Sequence, residues 1–145
     1  MESILFLELG FPVLLVNPRM VEVRGERVPD VNLRQVQEAA YRQLVCKPGR
    51  MTGSEVRFIR KYLRLRQSDF AAVLNMANHS VVSQWESRGD EAAGMDYNTE
   101  VVLRVWMAAR IGQAARLLEL LEKDLKDLSL EGAHDPIRIR MDEAA

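Results

Sequence analysis

The sequence predicts an α+β fold that is mostly α. It should have a small N-terminal β-hairpin plus a helix, then a five-helix unit centred on a helix-turn-helix and ending in a long C-terminal helix. Three observations carry this expectation. Apolar residues recur at helical spacing from residue 33 to about 128, while period-two alternation is confined to the first 30 residues and a short stretch at 137–141. Two short segments within residues 67–89 each have an apolar face and are parted by a few polar residues, as in two helices joined by a tight turn. Lys47-Pro48-Gly49 breaks the chain between the two parts, giving a β-rich module over 1–47 and a helical domain over 48–145.

Composition narrows the function classes. The 145 residues are 48% hydrophobic and 28% charged, as in a globular domain. No apolar run approaches the roughly 18 residues that span a bilayer, and the opening residues lack the basic start of a secretory signal. One cysteine, Cys46, leaves no intramolecular disulfide and no multi-cysteine zinc site. His79 and His134 are far apart, and no nucleophile–base pair is visible. The expectation is a cytoplasmic protein, not an enzyme, with no cofactor, no metal and no membrane partner.

In chain order, Phe11 to Val16 is a short apolar run, Asn17-Pro18 a turn, and Met20 to Arg24 alternates. This predicts a hairpin of 11–16 with 19–24, joined by a strand at 3–8. Asn32 should cap a helix over Leu33 to Val45 that buries Leu33, Val36, Ala40, Tyr41 and Leu44. Thr52 and Glu55 form a capping box before a helix that buries Val56, Ile59 and Leu63. Arg57, Arg60, Lys61 and Arg64 fall mostly on its other faces.

The pair of helices comes next. Phe70, Ala71 and Leu74 give the first an apolar face. The second runs from near Asn78, a good cap, to near Ser87, with Val82 and Trp85 inward. Its outward face holds His79, Ser80, Ser83 and Gln84, short polar groups suited to base edges in a major groove. Residues 47–88 carry eight basic and three acidic side chains, a net +5, whereas 89–145 carry a net −5. A basic block on this pair of helices is the footprint of a phosphate-binding surface. The expected base contacts are Asn78, His79, Ser80, Ser83 and Gln84. The expected phosphate contacts are Arg64, Arg66, Gln67, Ser68 and Arg88.

Beyond Gly94, Asp96 or Asn98 should cap a helix that buries Val102, Val105, Trp106 and Ala109. Ile111, Ala114, Leu118, Leu121, Leu125 and Leu128 then follow at alternating threes and fours. Ile111, Leu118, Leu121 and Leu125 are the expected dimer seam, since a palindromic operator on double-stranded DNA requires two recognition helices; the alternative is a long helix that folds back on its own domain.

Gln67, Phe70, Ala71 and Leu74, followed by Val82, Ser83, Trp85, Glu86 and Gly89, resemble the helix-turn-helix of the Cro/lambda-repressor-like (XRE) class. Asn75 stands where that class usually has glycine, Arg66 where it has a Ser or Thr cap, and the turn is one residue longer. With Met51 to Leu63 ahead of it, the stretch is also similar to the C-terminal half of MqsA-type antitoxins. That resemblance implies an autoregulating, dimeric repressor with a toxin as partner. The paired cysteines of the group's zinc module are absent, with Val23-Arg24-Gly25-Glu26-Arg27 about where one pair would lie, so no zinc is expected.

Overall fold

A computed structural model describes residues 2–123 and 136–142, apart from the side chains of Leu120, Leu121 and Lys123. Among these residues the chain is mixed α+β, with six helices and a small sheet built on the N-terminal strands.

Strands β1 (Ser3–Phe6), β2 (Val13–Val16), β3 (Met20–Val23) and β4 (Glu26–Pro29) come first. The hairpin expected between 11–16 and 19–24 does not form. β2 pairs antiparallel with β1, Ser3 opposite Val16, while β3 pairs with β4. Two local features redirect the chain. Arg24 and Gly25 both have positive φ, 53° and 81°, which closes a two-residue turn of the kind that matches strand twist. At the end of β2 the Asn17 N–H donates to the Glu2 carbonyl, so β2 keeps β1 as its neighbour, and Pro18 has no N–H to continue a ladder. A last strand, β5 (Ile137–Arg140), lies parallel to β2, with Val13 opposite Ile137, so β2 is central. Its alternation is the one seen in the sequence: Ile137 and Ile139 are buried, Arg138 and Arg140 exposed.

Helix α1 (Leu33–Val45) starts at Asn32, whose side chain accepts from the Gln35 N–H. Val36, Ala40, Tyr41 and Leu44 are buried, but Leu33 is 44% exposed, because the first turn projects beyond the core. Helix α2 (Gly53–Tyr62) carries the expected capping box: Thr52 Oγ1 accepts from Glu55 N–H, and Glu55 Oε1 from Thr52 N–H. Helices α3 (Gln67–Val73) and α4 (Ser80–Glu86) pack on each other, and α4 also packs on α2.

Helix α5 (Tyr97–Arg110) is capped by Asp96, whose carboxylate accepts from the Thr99 N–H at 2.7 Å. Its buried face differs from the expected one, of which only Trp106 is partly buried against the core. Thr99, Glu100, Leu103, Arg104, Met107 and Ala108 are buried, whereas Val102, Val105 and Ala109 are exposed. The charged pair Glu100–Arg104 turns inward because it is neutralised and bonded there, which an apolar-stripe argument cannot anticipate. The long C-terminal helix is also interrupted. α5 stops at Arg110, Gly112 has φ +69°, and α6 (Ala114–Lys123) starts anew. Glycine adopts that left-handed conformation without a Cβ penalty and so ends the helix. On α6 Leu117 is buried and Leu118 exposed, so the heptad register does not mark the covered side.

One hydrophobic core runs through both sides of residue 47, from Val13, Leu15 and Val36 to Ile59, Phe70, Leu103 and Ile139. The Lys47-Pro48-Gly49 segment, read as a boundary, is fastened down. Arg104 is fully buried and donates to the carbonyls of Val45, Lys47 and Gly49 (the last at 2.7 Å) and to Glu100 Oε2 at 2.8 Å. Glu100 Oε1 in turn accepts from Arg50 Nε at 2.9 Å. Lys47 Nζ is buried against Glu55 at 2.7 Å. There burial raises the Glu55 carboxyl pKa, with Lys47 opposing it.

The Asp96 cap gives a pH-dependent prediction. Its backbone hydrogen bond from Thr99 lowers the carboxyl pKa. A depressed carboxylate pKa contributes stability that is present above the unfolded value, about 3.9, and is lost as pH falls through the folded value. Asp96→Ala should therefore lower the melting temperature at neutral pH, and the gap from the parent protein should narrow below about pH 4. Thermal unfolding across that range tests it; a gap independent of pH would show that the charged cap is not responsible.

Candidate nucleic-acid interface

α3 and α4 are held by apolar residues on their inner faces. Phe70, Ala71 and Leu74 of α3 and its end meet Val82 and Trp85 of α4, all buried. The turn between them needs a left-handed residue, and Asn75 supplies it at φ +56°. That is the conformation glycine takes freely and asparagine tolerates. Asn78 Oδ1 accepts from the Ser80 N–H at 3.0 Å. Asn78 thus starts the helix as expected, although the cap position itself falls on His79.

A part-buried ion pair fixes the other end of α4. Arg60 Nε and Nη2 donate to Glu86 Oε2 and Oε1 at 2.7 and 2.9 Å, and Arg60 Nη1 donates to the Leu65 carbonyl at 2.9 Å. The bidentate fork ties α2, the turn after it and α4 into one unit. Arg60, grouped by the sequence with the outward cations, is therefore committed inward. The Arg60–Glu86 link was missed because residues 26 apart leave no local spacing signal.

The outward face of α4 is open. Asn78, His79, Ser80, Ser83 and Gln84 are all exposed, and they lie together along one turn and its entry. Of the residues expected at phosphates, Ser68, Arg64, Arg66 and Arg88 are exposed and Gln67 is half-buried at the start of α3. Arg64 is set outward from the end of α2 by a left-handed backbone, φ +58°. Arg66 differs: Nε lies 3.2 Å from Asp69 Oδ2, and the hydrogen bond from Arg66 holds the Asp69 carboxyl below its usual pKa.

The electrostatics are thinner than the sequence count. Of the eight cations in 47–88, Lys47, Arg50, Arg60 and Arg66 are ion-paired with Glu55, Glu100, Glu86 and Asp69. Arg57, Lys61, Arg64 and Arg88 are exposed and, among the described residues, meet no carboxylate within ion-pair distance. Of the expected dimer seam, Ile111 is half-buried at the end of α5 and Leu118 is exposed. The Leu121 side chain and Leu125 lie outside what is described. Among the described residues no cluster of three His, Cys, Asp or Glu side chains gathers, and no helix is long and apolar enough to cross a membrane. No family model, curated protein or solved structure matches the chain.

Proposed function

We propose that the chain is a sequence-specific DNA-binding transcriptional regulator that uses α3 and α4 as a helix-turn-helix. The observation that carries this reading is the polar, uncharged and exposed face of α4, set on a rigid apolar and ion-paired backing. Recognition falls to Ser80, Ser83 and Gln84, with Asn78 and His79 at the helix entry. Gln67, Ser68, Arg64, Arg66 and Arg88 flank that face and hold phosphates. Two copies on a palindromic operator complete the reading. The resemblance to MqsA-type antitoxins extends it to an autoregulating repressor with a toxin as partner, which co-expression with a neighbouring ribonuclease tests by rescue of growth.

The test is a titration of the protein against duplex from upstream of its own gene and against random duplex, at several salt concentrations. Gln84→Ala should cost about 1–3 kcal/mol of discrimination while leaving random-duplex affinity nearly unchanged. Arg64→Ala should weaken both duplexes alike and reduce the salt slope by about 1. Equal losses for Gln84→Ala on both duplexes would remove it from recognition.

The internal pairing of half the basic block favours a second reading, a protein-interaction module with this fold and no DNA affinity. Weak, salt-insensitive binding without discrimination would select it.

A further inference from the structure

The outward side of α5 has no covering among the described elements. Val102 and Val105 are 51% and 45% exposed, Ala109 is exposed, and Trp106 is half-buried with the Arg110 guanidinium 5.1 Å from its ring centre. Asn98, Val102, Val105 and Ala109 recur at four, three and four residues, which places them in one line along the helix. That line holds no charge.

We propose that this face pairs with the same face of a second copy, α5 against α5, antiparallel about a two-fold axis between Leu103 and Arg104. A two-fold interface must be complementary to itself. The four-three-four spacing is the same read from either end: Val102 of one copy falls opposite Val105 of the other, and Asn98 opposite Ala109. Charge selects the antiparallel sense. Asp96 marks the N-terminal end of α5 and Arg110 its C-terminal end, so antiparallel copies set an acidic end beside a basic one and oppose their helix dipoles. A parallel pair would bring like ends together.

Size sets the strength. At 1.5 Å per residue α5 is about 21 Å long, and a strip of that length and about 10 Å width falls short of the roughly 800 Å² per partner of a standard interface. The free dimer is therefore weak, and it tightens where an operator aligns two copies. Its use in operator binding rests on the regulator reading; its geometry does not.

Sedimentation velocity on the full chain, from low to high micromolar concentration and without DNA, tests it. The average mass should rise with concentration. Val102→Glu/Val105→Glu should raise the dimer dissociation constant by more than about tenfold, since each charge would lose its water. Leu118→Glu, on the exposed side of α6, should self-associate like the parent chain. A parent chain that stays monomeric, or loss of the dimer through Leu118→Glu and not through the α5 variant, overturns the proposal.

Cross-linking reads the face without adding charge. With Cys46→Ser as background, mild oxidation of an equimolar mixture of Val102→Cys and Val105→Cys chains should give the mixed covalent dimer, and Ala72→Cys on α3 should not. No cross-link between position 102 of one copy and position 105 of the other overturns the proposal. A chain that passes both tests and binds no DNA upholds the interface and removes only the regulator reading.

Discussion

Arg104→Met should destabilise the protein by about 3–5 kcal/mol, the range seen when one partner of a buried charge network is removed. Arg104 is fully buried on α5 and serves the carbonyls of Val45 at the end of α1 and of Lys47 and Gly49 after it, together with Glu100. Methionine fills much of the volume and donates nothing. Three backbone acceptors would lose their donor, and Glu100 would keep only Arg50 as its charged partner. Adding Glu100→Leu should recover only part of the loss. It removes the buried charge, but the carbonyls of Val45, Lys47 and Gly49 still lack donors, and the Met51 N–H loses its acceptor, 3.4 Å away. Denaturant unfolding of the two variants measures the difference. A loss below about 1 kcal/mol for Arg104→Met would mean that water replaces the guanidinium at those carbonyls.

That network also marks how far the sequence can be read. Elements set by local chemistry were legible: the Asn32 cap, the Thr52–Glu55 capping box, the inward Phe70, Ala71, Val82 and Trp85, and the alternation of β5. Long-range choices were not. β2 takes β5 as a parallel neighbour more than 120 positions away, and nothing within either strand names its partner. The inner face of α5 was read as Val102, Val105, Trp106 and Ala109, because counting apolar residues assigns Glu100 and Arg104 to solvent. Their burial depends on carbonyls more than fifty residues earlier in the chain. In the candidate interface the exposed polar face of α4 follows from spacing alone. The internal pairing of Lys47, Arg50, Arg60 and Arg66 does not, and so the charge count overstated the cations left for phosphate.

Gly53→Ala should be destabilising and, on the proposed regulator reading, should also reduce duplex binding, although helix propensity alone predicts a gain. Replacing glycine by alanine in the middle of a helix stabilises by roughly 0.5–1 kcal/mol, and Gly53, the first residue of α2, would gain at most that much. Here the added Cβ would lie 2.4 Å from the Trp85 carbonyl oxygen, 2.9 Å from the Gly89 nitrogen and 3.1 Å from Arg88 Cβ. The first two are backbone atoms and cannot swing aside. They belong to the end of α4 and the loop after it, which hydrogen bonds hold against the start of α2: Gly53 N–H to Glu91 carbonyl at 3.1 Å, Ser54 N–H to Gly89 carbonyl at 2.9 Å, and Ala93 N–H to Met51 carbonyl at 3.0 Å. Relief requires α4 to move away from α2, which strains these bonds and the Arg60–Glu86 pair together. Overpacking of this kind costs about 1–3 kcal/mol and exceeds the propensity gain. A melting temperature lower by roughly 3–10 °C is expected for a chain of this length. On the proposed reading, in which α4 carries the recognition face, its displacement should lower specific more than random duplex affinity at temperatures where the variant is fully folded. A variant as stable as the parent, with unchanged discrimination, would show that α2 and α4 tolerate a wider separation and that their close approach does not set the recognition helix.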